Sequence, residues 1–147
     1  MDTGHESALG KKARDAVNAA CGEGGPPSPE KAAQLICSLI ASAARQKGDN
    51  RRHVVEVCQG AMTGLALNHA DLPATAVAIL RGLENISLMS RSDPSSIMTW
   101  VLEGIAEATP VAGFEARVEI QHRLDGEFHG VGEVFDKLCD AVKKRGA

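Results

Sequence analysis

The chain has 147 residues, a formal net charge of −3 and 44% hydrophobic residues. This length suffices for one domain that buries roughly 70% of its unfolded surface, so neither disulfides nor a metal is required for stability. The mildly acidic balance argues against nucleic-acid binding, because such domains usually carry a basic patch. No apolar run approaches the roughly 20 residues of a membrane span.

Four cysteines stand singly in the chain, without a CxxC pair. Two of them, Cys37 and Cys58, fall in predicted apolar helix faces, where a free cysteine behaves as a small hydrophobe. A reducing compartment is expected for such a protein, and the charged first ten residues do not resemble a secretory signal. We therefore expect a soluble, cytoplasmic protein. The sequence assigns no individual role to the cysteines, which are Cys21, Cys37, Cys58 and Cys139.

Capping and turn residues divide the chain into seven predicted helices. Residues 22–29 are rich in glycine and proline and end the first helix, and Ser28 and Pro29 form an N-cap and first-turn pair for the second. Asp71 and Asp93, each followed by a proline within two residues, indicate later helix starts. No stretch shows sustained alternation of apolar β-branched residues, so no sheet is expected. The predicted helices are 8–20, 29–46, 50–69, 72–89, 94–108, 111–124 and 128–145.

A 22-residue repeat runs through the first five predicted helices. Self-similarity at such a period indicates stacked, similar structural units. Glycine inside a helix costs about 1 kcal/mol relative to alanine, so its recurrence predicts close approach of a neighbouring backbone. The small residues at the repeated position are Ala16, Ser38, Gly60, Gly82 and Gly104.

The sequence therefore predicts an all-α fold of about seven antiparallel helices in a single domain, residues 1–147. A helix followed by a turn of about 4–5 residues forces an antiparallel neighbour. The repeated helices occupy about 8–109, a C-terminal helical hairpin occupies 110–147, and residues 1–7 form a flexible N-terminus. Either an up-down bundle or a short HEAT-like superhelix fits this pattern. Phe114 is expected to join the hairpin in packing across the repeated helices.

The search for catalytic and metal-binding motifs is negative. The chain contains no HExxH, CxxC, GxSxG or GxxxxGK[ST] sequence. A single Glu-x-x-His occurs at Glu119–His122, whereas helical di-metal sites use two copies of that motif. His122 and His129 flank a predicted turn, but their spacing is not that of a ligand pair. We therefore predict no catalytic residue, no metal site and no cofactor.

Two surface features are candidate binding sites. Trp100 occupies a repeat position that is otherwise polar or small, and tryptophan is enriched at interaction hot spots. It is interpreted as covered by the C-terminal hairpin, buried in a homo-oligomer, or free to bind a partner. The second feature is a basic cluster around a predicted helix start, where the helix dipole favours anions. This candidate anion site, for which a solvated turn is the alternative, comprises Arg45, Lys47, Arg51 and Arg52.

These patterns favour a non-catalytic interaction or scaffold module that self-associates. A homo-oligomer is the expected assembly, and another protein is the alternative partner; no nucleic acid and no membrane span are expected. A small-ligand-binding or regulatory helical domain is the alternative function, and an enzyme is less favoured. The sequence specifies neither the biological role nor the choice between closed bundle and superhelix.

Overall fold

The computed structural model describes residues 7–22 and 24–146, without the side chains of residues 89, 90 and 146. The predicted flexible N-terminus falls, except for Ser7, outside the described residues. The described part contains eight helices and no strand, which confirms the all-α class, and none of these helices is long and apolar enough to span a bilayer. The helices are α1 (Ala8–Ala20), α2 (Pro29–Ala44), α3 (Asn50–Leu67), α4 (Leu72–Arg81), α5 (Leu83–Ser90), α6 (Pro94–Ala112), α7 (Phe114–Glu127) and α8 (Val131–Gly146).

Five helices begin with a side-chain N-cap, and their starts lie at or within one residue of 22-residue intervals. α1, α2, α3, α4 and α6 begin at residues 8, 29, 50, 72 and 94, which are 21, 21, 22 and 22 residues apart. In each case a serine or aspartate oxygen accepts a hydrogen bond from a backbone N–H of the first turn, which contributes about 1 kcal/mol. The capping residues are Ser7, Ser28, Asp49, Asp71 and Asp93.

The predicted helix 72–89 is wrong, because it is two helices. Gly82 separates α4 from α5, with φ −94° and ψ 9° in place of helical values. Its N–H bonds to the carbonyl of Ile79 at 3.0 Å, the tighter i−3 pattern that often ends a helix. Both halves pack against α2; α4 also packs against α7, and α5 also packs against α6.

The predicted helix end before Pro110 is also wrong. α6 continues through Pro110 to Ala112 and stops at Gly113, so α7 begins at Phe114 and not at residue 111. Gly113 has φ 101° and ψ 163°, a backbone conformation that is essentially restricted to glycine. The chain therefore turns three residues later than the proline suggests.

The central helix α3 lies between α1 and α6, and two glycines allow these close contacts. A Cβ on Gly60 would lie 2.0 Å from the carbonyl oxygen of Gly10 in α1, and one on Gly104 would lie 2.7 Å from that of Val55 in α3. The predicted close approach is confirmed at these two positions. It is wrong at Gly82, where a Cβ would meet only ordinary contacts at 3.5 Å or more.

The C-terminal helices α7 and α8 pack against each other, and α8 also packs on α6. Phe135 of α8 is fully buried. Arg117 of α7 joins the two helices, because its Nη2 lies 2.7 Å from Asp136 Oδ1 and 2.9 Å from Asp140 Oδ1. This pairing fixes the α7–α8 corner, where the candidate site described below is found.

Candidate functional site

Two of the four residues of the predicted basic cluster are paired with carboxylates. Arg51 Nη2 donates to both oxygens of Glu103, at 2.9 and 2.7 Å, and Arg52 Nε lies 2.7 Å from Glu56 Oε2. Arg45 is exposed just after α2. The structure therefore brings Arg51 and Arg52 to one place but does not bring the whole cluster around one point.

The cleft that holds these pairs has about 440 Å³ and lies between α3 and α6. Three arginines face four carboxylates there, so the cleft is not a cationic pocket. Lys47 is exposed and is not among the lining residues. Anion binding by the four basic residues stays a prediction, and the pairing of Arg51 and Arg52 weighs against it. The charged residues of the cleft are Arg51, Arg52, Arg145, Asp49, Glu56, Glu103 and Glu107.

Glu107 is the most perturbed carboxyl of this cleft. Burial is the main cause that raises the pKa of Glu107; the nearby Arg145 opposes this effect and Glu103 reinforces it. The Arg145 Nη2–Glu107 Oε2 distance is 3.8 Å, too long for a direct hydrogen bond. The carboxylate of Glu107 is therefore weakly compensated in the folded protein.

Trp100, the predicted partner-binding residue, is half-buried on α6 and packs against the hydrophobic core. Its ring is partly covered within the chain itself, without help from a second molecule. A role for Trp100 in partner binding stays a prediction.

A wider cavity of about 700 Å³ lies where the end of α3, the start of α4 and α7 meet. Alanine, leucine and proline side chains form much of its lining, and Glu119, His122 and Arg123 of α7 lie at its edge. Both residues of the single Glu-x-x-His motif, Glu119 and His122, therefore line this cavity. Within the described part of the chain, however, no group of three or more metal-type side chains is placed to hold an ion.

The thiols are poorly suited to nucleophilic chemistry. Burial raises the pKa of Cys37 and of Cys58, and it raises the pKa of Cys139 to about 11. The nucleophilic form of cysteine is the thiolate, which is suppressed when the pKa lies above the ambient pH. The structure therefore provides no activated thiol among these three positions.

A surface that the sequence analysis missed lies at the junction of α6 and α7. Phe114, the first residue of α7, is 73% exposed, so the expectation that it packs with the hairpin is wrong. Val118, one helical turn further on, is 37% exposed, and Val111, in the last turn of α6, is 51% exposed. We call these three residues the α7 surface.

The exposure of Phe114 follows from the distribution of apolar residues around α7. Ile120 and Leu124 are buried in the core. Phe114 and Val118 are each six residues before one of them, which is about 240° around a helix. One helix cannot bury both apolar faces against the same core. This spacing was the available sequence signal, and it predicts an outward apolar face on α7.

Beside Phe114 runs a groove of about 430 Å³, which we call the α7 groove. It lies between the end of α6, the start of α7 and the last turns of α8. Arg117 in its wall is neutralised by the two aspartates of α8, whereas Lys143 at its end is exposed. The lining residues are Thr109, Pro110, Gly113, Phe114, Arg117, Cys139, Val142 and Lys143.

Comparisons of the chain with protein-family models, with curated proteins and with solved structures give no match.

Proposed function

We propose that this chain is a non-catalytic helical interaction module that self-associates through the α7 surface. The observation that carries the proposal is the 73% exposure of Phe114 beside the α7 groove. Burying a phenylalanine side chain stabilises a complex by about 1.5–3 kcal/mol relative to leaving it in water. Aromatic anchors in pockets are typical of the energetically dominant part of protein interfaces.

The scaffold proposed for this module is a short HEAT-like superhelix of antiparallel helices. Several helices pack on a non-consecutive neighbour: α1 on α3, α3 on α6, and in the other layer α2 on α4 and α4 on α7. α1 packs more extensively on α3 than on α2, and α3 packs more extensively on α6 than on α4. An up-down bundle would favour contacts between consecutive helices. Two layers of alternating helices are typical of stacked helical hairpins.

The module is proposed to act in the cytoplasm, without a nucleic-acid partner. All four cysteines are free, which suits a reducing compartment. The net charge of −3 disfavours the phosphate backbone of nucleic acids.

The proposal is tested by light scattering coupled to gel filtration at micromolar concentrations. The wild-type chain is expected to elute as a dimer or larger, and Phe114→Asp as a monomer. Leu88→Asp is the matched control, because Leu88 on α5 is 75% exposed and should not affect assembly. A monomeric wild type would overturn the proposal, and dissociation by Leu88→Asp alone would move the interface away from α7.

A small-ligand-binding domain is the second candidate, and the 700 Å³ cavity favours it. Ligand pockets of proteins are typically about 300–1,000 Å³ and combine apolar walls with a few polar groups. Glu119, His122 and Arg123 form no ion pair with another residue of the described ranges, so they are available to a ligand. Thermal-shift screening of small charged metabolites against wild type and Arg123→Gln tests it. A shift that the variant loses would support binding here, and no shift with any compound would reject it.

A further inference from the structure

We infer that the partner on the α7 surface is a second copy of this chain, docked by a two-fold axis so that Phe114 of each copy enters the α7 groove of the other. This inference rests on the proposed self-association and adds the partner's identity and the docking mode.

The α7 surface carries both a projecting aromatic ring and a groove of about 430 Å³ within the same patch. Phe114 forms part of the groove's wall but leaves it open, since its side chain is directed largely into solvent. A two-fold interface brings the same patch of both copies together, so that patch must complement itself. The exposed ring of Phe114 and the adjacent α7 groove meet this condition, because a two-fold rotation places the ring of each copy in the groove of the other.

The opposite charges on the two sides of the patch fit the same arrangement. Glu115 follows Phe114 on α7, and Lys143 closes the end of the groove on α8. Both side chains are exposed, and neither forms an ion pair with another residue of the described part. When Phe114 enters the groove of the second copy, Glu115 follows it towards that copy's Lys143. The two-fold axis forms this pair twice.

The lining of the α7 groove can accept an aromatic ring without burying an unpaired arginine. Val142 is half-buried and presents apolar surface, Cys139 in the same lining is almost fully buried, and the only arginine of the groove lining, Arg117, is already bound to Asp136 and Asp140. No free charge of the groove wall is then buried by an entering ring, apart from Lys143 at its end. A standard protein–protein interface buries about 800 Å² per partner. The α7 surface has only three exposed apolar residues, so we expect a smaller interface and a dissociation constant in the micromolar range.

Cross-linking between two different variants tests the docking mode. Both variants carry Cys21→Ser and Cys37→Ser, which remove the two partly exposed thiols and leave the buried Cys58 and Cys139. One variant also carries Glu115→Cys and the other Lys143→Cys, and both keep Phe114. A short bis-maleimide reagent then joins only positions that lie close together in the assembly.

The mixture is expected to give at least about tenfold more cross-linked heterodimer than a control mixture of Glu115→Cys with Lys137→Cys, because short cross-links require side chains within several ångströms. Lys137 is a suitable control, since it is exposed on α8 six residues before Lys143 and about 240° around the helix. Gel filtration of the same samples with light scattering separates the outcomes. Dimers without preferential 115–143 cross-linking would overturn the docking mode and leave self-association standing. Monomers throughout would overturn both.

Discussion

The hydroxyl of Thr109 donates a 2.6 Å hydrogen bond to the carbonyl of Ala106. In a regular helix that carbonyl would accept the N–H of residue 110, which Pro110 lacks. The threonine therefore supplies the missing donor, and α6 continues past the proline to Ala112. Because the Thr109 hydroxyl replaces the missing N–H of Pro110, the chain reverses at Gly113 and α7 begins at Phe114.

Thr109→Val is expected to destabilise the protein by about 1–3 kcal/mol, because it leaves the Ala106 carbonyl without its donor in a buried setting. Urea unfolding followed by circular dichroism measures the change. Thr99→Val is the matched control: the Thr99 hydroxyl bonds to the Ser95 carbonyl at 3.1 Å on the same helix, but at an exposed position. Equal effects of the two substitutions would contradict the bridging role of Thr109.

Gly60→Ala is expected to destabilise the fold by at least about 1–3 kcal/mol, because the added methyl group overpacks the α1–α3 contact. Its Cβ would lie 2.0 Å from a backbone oxygen of α1, which cannot move aside as a flexible side chain can. Gly82→Ala is the control and should be neutral or stabilising by up to about 1 kcal/mol, since alanine can adopt the φ of −94° found there, the site has room, and the substitution reduces the conformational freedom of the unfolded chain. Thermal unfolding of both variants decides the matter. A tolerated alanine at Gly60 would show that the helices are further apart.

Arg51→Ala is expected to cost more stability than Arg52→Ala. The Glu103 side chain is only 11% exposed, so removal of Arg51 leaves a mostly buried carboxylate without its partner. Arg52 and Glu56 form an i,i+4 pair in which Arg52 is 74% exposed, and such pairs contribute about 0.3–0.5 kcal/mol. Urea unfolding at neutral pH measures both variants. If the two substitutions cost the same, the Arg51–Glu103 pair is no more important than a surface ion pair.

Glu107→Gln is expected to change how stability depends on pH. Burial raises the pKa of Glu107 in the folded state above its unfolded value. Between these two values the folded state binds more protons, so the contribution of Glu107 to stability falls as pH rises through that window. Glutamine cannot lose a proton, and the variant should lack this fall.

The measurement is the free energy of unfolding of wild type and Glu107→Gln from about pH 4 to pH 8, across the ordinary glutamate range. The wild type should lose stability relative to the variant as pH rises. A wild type that gains stability relative to Glu107→Gln with rising pH would contradict the sign of the shift.

Local rules predicted the starts of the five capped helices, but not the starts of α5, α7 and α8 or the ends of α4 and α6. The N-caps at Ser28, Asp71 and Asp93 depend on a residue and its immediate neighbours, so sequence alone identifies them. The continuation through Pro110 depends on a hydroxyl bond from Thr109. The break at Gly82 coincides with a change of one neighbouring helix, from α7 beside α4 to α6 beside α5, while both halves pack on α2. Such compensations involve specific side chains and tertiary contacts that periodicity does not contain.

The candidate site was less predictable than the fold. Trp100 and the basic cluster attracted attention as residue types, but the structure half-buries the first and pairs much of the second. Phe114 was expected to join the C-terminal hairpin in packing across the repeated helices, and the structure leaves it 73% exposed. Which of the two apolar faces of α7 is buried depends on the packing of α4 and α8 against it. The six-residue spacing between Phe114 and Ile120 was the only sequence feature that indicated an exposed Phe114.

Sedimentation equilibrium of the wild type and Phe114→Ala, over a concentration series through the micromolar range, tests self-association through Phe114 most directly. The wild type should fit a monomer–dimer equilibrium. Truncation of an aromatic anchor typically costs about 2 kcal/mol or more, so the variant's dissociation constant should rise by at least about tenfold. A wild type that stays monomeric throughout, or a variant with an unchanged dissociation constant, would contradict it.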